Sequence, residues 1–160
     1  MITQQELLNS FSYADGKLYW KHNCKGHFLI GKEAGKLNKF GYYYVVFKQK
    51  RYRLHRLIYM YHYGEMPICI DHIDNNPTNN KIENLRSATF KQNMQNMKKP
   101  KSNTSGIKNV SWCKAASKWG VRMKIDNVYK HLGLFEDIEL AELVAIEARN
   151  KYHGVFARHL

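Results

Sequence analysis

Long apolar runs, paired cysteines and, over one stretch, acidic residues are what this 160-residue chain lacks. Its most apolar segments, such as residues 57–60 and 68–70, fall far short of the ~20 residues that span a bilayer. The first residues, Met-Ile-Thr-Gln-Gln-Glu, show no basic segment followed by an apolar one, so the sequence predicts no secretory leader and a cytoplasmic protein. The three cysteines, Cys24, Cys69 and Cys113, are odd in number, widely spaced and never in a Cys-x-x-Cys pair. That spacing argues against a disulfide framework and a structural zinc, and leaves all three as packing residues. With 44% apolar, 13% aromatic and 24% charged residues, the composition is that of a folded chain rather than a disordered one.

The charge that is present is one-sided. Lysine and arginine number 26 against 13 acids, a net +13, which calls for a polyanionic partner. Nucleic acid comes first and an anionic membrane surface second, and the short apolar runs weaken the second. Residues 1–83 carry +5, residues 84–135 carry +10 with Asp126 as the only acid, and residues 136–160 carry −2. The middle stretch is therefore a candidate binding track, and the acidic end is expected to face away from it. A charge run can equally be a solvated face.

A length of 160 residues fits one ordinary domain or two small ones. Asp15-Gly16 between aromatic arms predicts a hairpin over residues 11–20, and residues 42–47 and 51–54 predict a second around residues 48–50. A helix is expected from His55, with Leu57, Ile58 and Tyr61 on one side and Gly64 as its stop. Then come a strand at 67–73, a polar Asn-rich loop at 74–80, a strand at 81–86 and a helix opened by Ser87. Phe90, Met94 and Met97 are expected to form that helix's buried stripe. Residues 98–109, basic and broken by Pro100 and Gly106, read as a linker. Strands follow at 110–113, 118–125 and 129–134, the middle one alternating Val121, Met123 and Ile125 with Arg122 and Lys124. A helix over 138–153 presents Ala141, Val144, Ala145, Ala148 and Tyr152, with Asp137 and Glu139 at its positive end.

The window 71–96 could carry chemistry. Adjacent side chains on a strand point to opposite faces, so Asp71 and His72 cannot both lie in a core. Phosphodiester hydrolysis needs a base near neutral pH, a cation to neutralise developing charge and oxygen ligands for that cation. His72 can act as the base, and Asp71 with the amide oxygen of Asn93 can hold one hard divalent ion.

The run Leu54-His55-Arg56-Leu57-Ile58, then Gly64, Pro67, Asp71-His72-Ile73-Asp74-Asn75-Asn76, Asn79-Asn80-Lys81-Ile82-Glu83-Asn84-Leu85-Arg86 and Asn93 resembles the HNH endonucleases of the phage and group I intron homing type. The resemblance covers roughly residues 40–97. It implies a ββα-metal site with His72 as general base, Asn84 as the central Asn that ties the loop and orients the base, and Asp71 and Asn93 as ligands of one divalent ion, magnesium by preference with manganese as the alternative. Asn75 stands where that family often has Gly, and Asn79 where Asp is frequent; Asn tolerates the left-handed conformation such a loop needs. The end of the chain is similar to the DNA-binding domain of plant ethylene-response factors, on Ser105-Gly106-Ile107, Val110-Ser111-Trp112, Lys118-Trp119, His131-Leu132-Gly133-Leu134-Phe135 and the Ala-rich helix. That resemblance implies a sheet that lies in the DNA major groove, with Arg122 and Lys124 outward; Trp119 and Lys130 are further candidates whose side parity alone leaves open.

The resulting expectation is an α+β protein: a nuclease domain with N-terminal β-hairpins over 1–97, a basic linker over 98–109, and a three-stranded antiparallel sheet on one helix over 110–160. It would hydrolyse double-stranded DNA to 5′-phosphate and 3′-hydroxyl ends as a monomer or dimer, in the cytoplasm of a bacterial or phage-infected cell. Lys50, Arg51, Arg53, Lys98, Lys99 and Lys101 are the further DNA contacts expected. His55 reads as structural and Asp74 as a loop cap. The rival readings are a DNA-binding regulator without catalysis and an RNA-binding protein.

Overall fold

Thr3 starts the first helix with a capping box. Its hydroxyl accepts from Glu6 N while the Glu6 carboxylate accepts from Thr3 N. This helix, α1 (Gln4–Ser10), was not expected from the sequence, and it buries Leu7 completely. The computed structural model describes residues 2–23, 27–126 and 128–159, so Cys24 lies outside the described residues. Two compact units make up the chain, Met1–Phe90 and Lys91–Leu160.

In the first unit α1 runs into β1 (Phe11–Ala14), which pairs with β2 (Lys17–Trp20) around Asp15 and Gly16, both left-handed as the turn requires. A short β3 (Glu33–Ala34) adds to β2. A second sheet joins β4 (Lys36–Leu37), β5 (Tyr43–Phe47) and β6 (Lys50–Arg53), in that order. Lys48 and Gln49 both take positive φ in the two-residue turn from β5 to β6. The chain passes into α2 (Leu54–Tyr63), which stops at left-handed Gly64. Leu54, Leu57 and Ile58 of α2 meet Leu7, Phe11, Leu18, Val45 and Phe47 in one core.

Next, β7 (Cys69–His72) pairs antiparallel with β8 (Leu85–Ala88), which a 3-10 turn at Ile82–Asn84 precedes. Here the sequence expectation needs correction. The strand placed at 81–86 begins at Leu85, because residues 82–84 form the turn. Ser87 is no helix cap, because it pairs with Ile70 in β8. The helix that follows, α3 (Phe90–Gln95), has six residues, less than two turns. Phe90, Met94 and Met97 are 69%, 63% and 49% exposed and form no buried stripe.

The second unit is built on β9 (Val110–Cys113), β10 (Lys118–Ile125) and β11 (Val128–Phe135), in the order β11-β10-β9. Asp137 caps α4 (Ile138–His153) by accepting from Glu139 N at 2.7 Å. Ala141 and Ala145 pack on Val110 and Val121, and Ala148 packs with Met123 and Ile125. Small residues allow this close approach. Tyr152, expected on the same face, is exposed; the fully buried side chain there is Arg149, whose Nη1 donates to Lys108 O at 2.6 Å. Lys108, brought down to about 8 mainly by burial, donates to the carbonyls of Gln95 and Met97 and so holds the end of α3. Residues 98–109 are further tied down by Ser105 Oγ, which donates to Val110 O at 2.7 Å. Cys69 and Cys113 are free thiols, and among the described residues no helix is long and apolar enough to cross a membrane.

The tip of the first hairpin reaches the β7–β8 loop. Gly16 has φ +79°, and a Cβ there would stand 2.7 Å from Lys81 N. Gly16→Ala is expected to cost at least about 1 kcal/mol through its left-handed backbone alone. The loss would be read as a lower urea midpoint at unchanged slope.

Candidate active site

Asp71 and His72 end β7 and are both buried. Register places Asp71 opposite Arg86 and His72 opposite Leu85. The Asp71 carboxylate oxygen Oδ2 accepts from Arg86 Nε at 2.8 Å and lies 2.7 Å from Nη2. A strand, a turn and a strand thus pair two residues fifteen apart in sequence.

Nε2 of His72 lies 3.1 Å from Asn80 Oδ1. The amide of Asn80 is oriented by its nitrogen, which donates to Thr78 O at 3.3 Å. Its oxygen therefore faces the imidazole. His55, at the start of α2, stands edge-to-face with His72, ring centroids 4.9 Å apart, and Tyr42 lies 6.4 Å from His72. Burial holds the His72 pKa below the ordinary imidazole value even though the Asn80 hydrogen bond, Asp74 and Asp71 favour its charged form. Burial, with His72, Arg53 and Arg56 nearby, pushes His55 down to about 3. Both rings are neutral at neutral pH.

The loop between the strands is closed by side chains. Asn84 Oδ1 accepts from Asp74 N at 3.0 Å, and its amide nitrogen donates to Asp74 Oδ1 at 2.9 Å and to Asn79 O at 2.8 Å. Asp74 also accepts from Asn76 N and from the Asn79 side chain. Partial burial acts to raise the Asp74 carboxyl, but these hydrogen bonds outweigh it and its pKa lies below the ordinary value. Asn75 adopts the left-handed conformation at φ 59°. The side chain that meets His72 is Asn80, while Asn84 acts on the loop.

Two outward sheet faces carry cations. On the β5–β6 pair the Arg51 guanidinium stands 4.4 Å from the Tyr44 ring and that of Arg53 4.7 Å from the Tyr42 ring. Lys50 is exposed at the start of β6. In the second unit Arg122 and Lys124 are exposed on β10, each within 6 Å of the Tyr129 ring of β11. Lys130 pairs with Met123 and Trp119 shares the side of Val121, so register puts both on the other face of this sheet, the one α4 covers. Lys98, Lys99 and Lys101 are exposed; Lys99 donates to Gly106 O. Asn93 is half-buried on α3, among the residues of the second unit.

Within the first unit the structure brings together Asp71, His72 and the loop tied by Asn84. The sequence reading missed Asn80 and Arg86 as partners of the pair, and it left Tyr129 unassigned. Strand pairing was the available signal for Arg86. None existed for Asn80 beyond its place in the Asn79-Asn80 pair. Among the described residues no group of three or more His, Cys, Asp or Glu could hold a metal. The oxygens this strand-loop offers are the Asp71 carboxylate, which is paired with Arg86, and the side-chain amides of the loop.

Residues 52–95, which contain this strand-loop-strand and the start of the following helix, match the family described as HNH endonuclease. The chain thus carries an HNH endonuclease domain over those residues. It is 44% identical to Protein 3.8 of Escherichia phage T7 over 91 residues, covering 56% of this chain and 73% of that protein. It is also 36% identical over 106 residues to Uncharacterized HNH endonuclease L560 of Acanthamoeba polyphaga mimivirus, a match over 62% of this chain and 56% of that protein. No solved structure matches the chain.

The depressed imidazoles set a pH dependence of stability. Both histidines bind protons more weakly folded than unfolded, so stability is full above about pH 6.5 and falls as pH drops through that value. His55→Phe keeps a ring but removes one of the two groups. The acid-side loss between pH 6 and 4 is expected to become shallower by up to about 1.4 kcal/mol per pH unit, measured by urea denaturation across that range.

Proposed function

We propose that this protein is a metal-dependent endonuclease that hydrolyses duplex DNA at a recognised site. The observation that carries the reading is a buried imidazole, neutral at neutral pH and held through Nε2, beside a buried carboxylate in an HNH domain. His72 takes a proton from water. The resulting hydroxide attacks phosphorus, the bond to the 3′ oxygen breaks, that oxygen takes a proton from solvent, and 5′-phosphate and 3′-hydroxyl ends result. A divalent ion bound by Asp71 and Asn93, magnesium or manganese, would supply charge neutralisation at the phosphate and the leaving oxygen. Arg86 keeps the Asp71 carboxylate aimed, and Asn84 holds the loop that carries Asn80. The DNA is followed by Lys50, Arg51 and Arg53 in the nuclease domain (residues 1–97), by Lys98, Lys99 and Lys101 in the basic connection (98–109), and by Arg122 and Lys124 in a C-terminal reading domain (110–160). The homing-type likeness supports cutting at a chosen sequence; a single site nicks, and a double-strand break takes two events. Trp119 and Lys130 would support the reading sheet from its other face.

Supercoiled plasmid incubated with magnesium or manganese tests the assignment. Wild type is expected to relax it, and His72→Ala to lose at least about 100-fold in rate; equal cutting by the variant would remove His72 from the mechanism. Binding without cleavage by the wild type would favour the regulator reading. Charge reversal of Arg122 and Lys124 together is expected to weaken DNA binding and to lower the slope of log affinity against log salt by about 2, read by fluorescence anisotropy across a salt series.

A further inference from the structure

We infer that Phe40 is a wedge: its ring enters the base stack of duplex DNA beside the bond to be cut, with Lys39 on a flanking phosphate. The inference rests on the reading of the chain as a DNA endonuclease and adds to it a contact with the bases, which the lysines and arginines on the backbone do not supply. An exposed aromatic residue needs no explanation by itself, because folded proteins scatter apolar residues over their surfaces. Rigidity, place and charge set Phe40 apart.

Phe40 is 72% exposed, yet the turn that carries it is closed on itself. Asn38 Oδ1 accepts from Phe40 N at 2.9 Å and from Tyr42 N at 3.0 Å, Asn38 N donates to Tyr42 O at 2.9 Å, and Gly41 N donates to Asn38 O at 3.1 Å. Gly41 completes the turn at φ +83°, where glycine is favoured. A ring held out on such a turn gives up little backbone freedom when it is inserted. The turn also borders the candidate active site. Two residues beyond Phe40, the Tyr42 ring stands 6.0 Å from the His55 ring and 6.4 Å from the His72 ring, and a Cβ on Gly41 would stand 3.7 Å from Pro77 Cγ in the β7–β8 loop. Two residues of chain span at most about 7 Å, and one base step rises about 3.4 Å. The step that Phe40 enters therefore lies within a few base pairs of the phosphate at His72. The surroundings are cationic. Lys39 Nζ lies 5.1 Å from the centre of the Phe40 ring, and residues 34–64 hold seven lysines and arginines and no acid. An apolar ring among cations matches a stack of bases edged by phosphates. Parting one base step costs a few kcal/mol, offset by the ring's contact with the bases and by a bend that brings more DNA onto the protein.

A wedge of this kind unwinds the duplex where it enters. The test uses the full chain in EDTA, which withholds divalent ions, on closed circular plasmid relaxed by a metal-independent topoisomerase. Saturating wild type is expected to lower the linking number of the product, Phe40→Ala to leave it unchanged, and Phe40→Trp, which keeps a stacking ring, to lower it again. On a short labelled duplex, Phe40→Ala is expected to bind about 5–100-fold more weakly at an unchanged slope of log affinity against log salt, because a stacking contact and no phosphate contact is lost. Lys39→Gln is expected to lower that slope by about 1 and to keep the unwinding. A wild type that binds plasmid without changing its linking number overturns the inference, whatever the variants do. So does a Phe40→Ala that unwinds as the wild type does, including one whose only change is in self-association, which would make the ring a protein contact. A wild type that unwinds DNA through Phe40 but cuts none with magnesium or manganese supports the wedge and refutes the endonuclease reading. A wild type that cuts while Phe40→Ala unwinds equally refutes the wedge alone.

Discussion

Everything at the candidate site depends on how the polar loop between β7 and β8 is closed. Residues 73–81 have no strand or helix to satisfy their main chain, and Asn84 supplies the closure. One side chain accepts from Asp74 N and donates to Asp74 and Asn79, while its own carbonyl accepts from Ile73 N at 2.9 Å. Loops of this length are ordinarily mobile, because fixing each residue costs about 1–2 kcal/mol of conformational entropy. Short reciprocal bonds at both ends offset that cost and carry Asn80 back to the end of β7. The same closure sets the strand register, and through it the Asp71–Arg86 pair.

That register has an electrostatic consequence. Burial makes a histidine a weaker base and a carboxylate costly to keep charged. At Asp71 the cost is met by a guanidinium with two nitrogens on one oxygen. At His72 burial prevails over the Asn80 hydrogen bond and the two aspartates that favour protonation. Its pKa therefore lies below the ordinary imidazole value. His55 is pushed to about 3, because burial is joined there by His72, Arg53 and Arg56.

Legibility in the sequence followed the range of the interactions. The Asp15-Gly16 hairpin, the Gly64 stop, the alternation of β10 and the span of α4 all rest on contacts within a few residues and agree with the structure. The helix at 4–10 carried a readable Thr3-x-x-Glu6 box that went unread because it lacks an apolar stripe. The stripe of Phe90, Met94 and Met97 misled for the opposite reason: periodicity reports where a helix could bury a face, and six residues make no such face. Asp71 and His72 were legible as a pair, but strand parity, which expected one of them outside a core, did not hold: both are buried, Asp71 on Arg86 and His72 on Asn80. Asn80 was not legible, because the acceptor it offers His72 exists only once a loop has folded around Asn84. Lys130 and Trp119 lay beyond parity for another reason. Their side follows from cross-strand register, including the irregularity between Val121 and Arg122, which one strand's pattern does not contain.

The two cationic sheet faces share a device. In each unit a small antiparallel sheet buries one face and turns the other outward, and on that face tyrosines lie beneath guanidinium or ammonium groups: Tyr42 and Tyr44 under Arg53 and Arg51, Tyr129 under Arg122 and Lys124. An exposed arginine ordinarily loses much side-chain freedom when it meets a phosphate. A ring beneath the cation removes part of that freedom beforehand and leaves the hydrogen-bonding edge outward, so less is lost on contact. Phosphate contacts of this kind place a protein on a duplex without reading its sequence. In the first unit such positioning is what a hydrolytic centre needs, because the bond to be cut is itself a backbone bond. Under the endonuclease proposal, sequence reading, which the chemistry does not require, falls to the second sheet, where His131 stands opposite Arg122 on the same outward face.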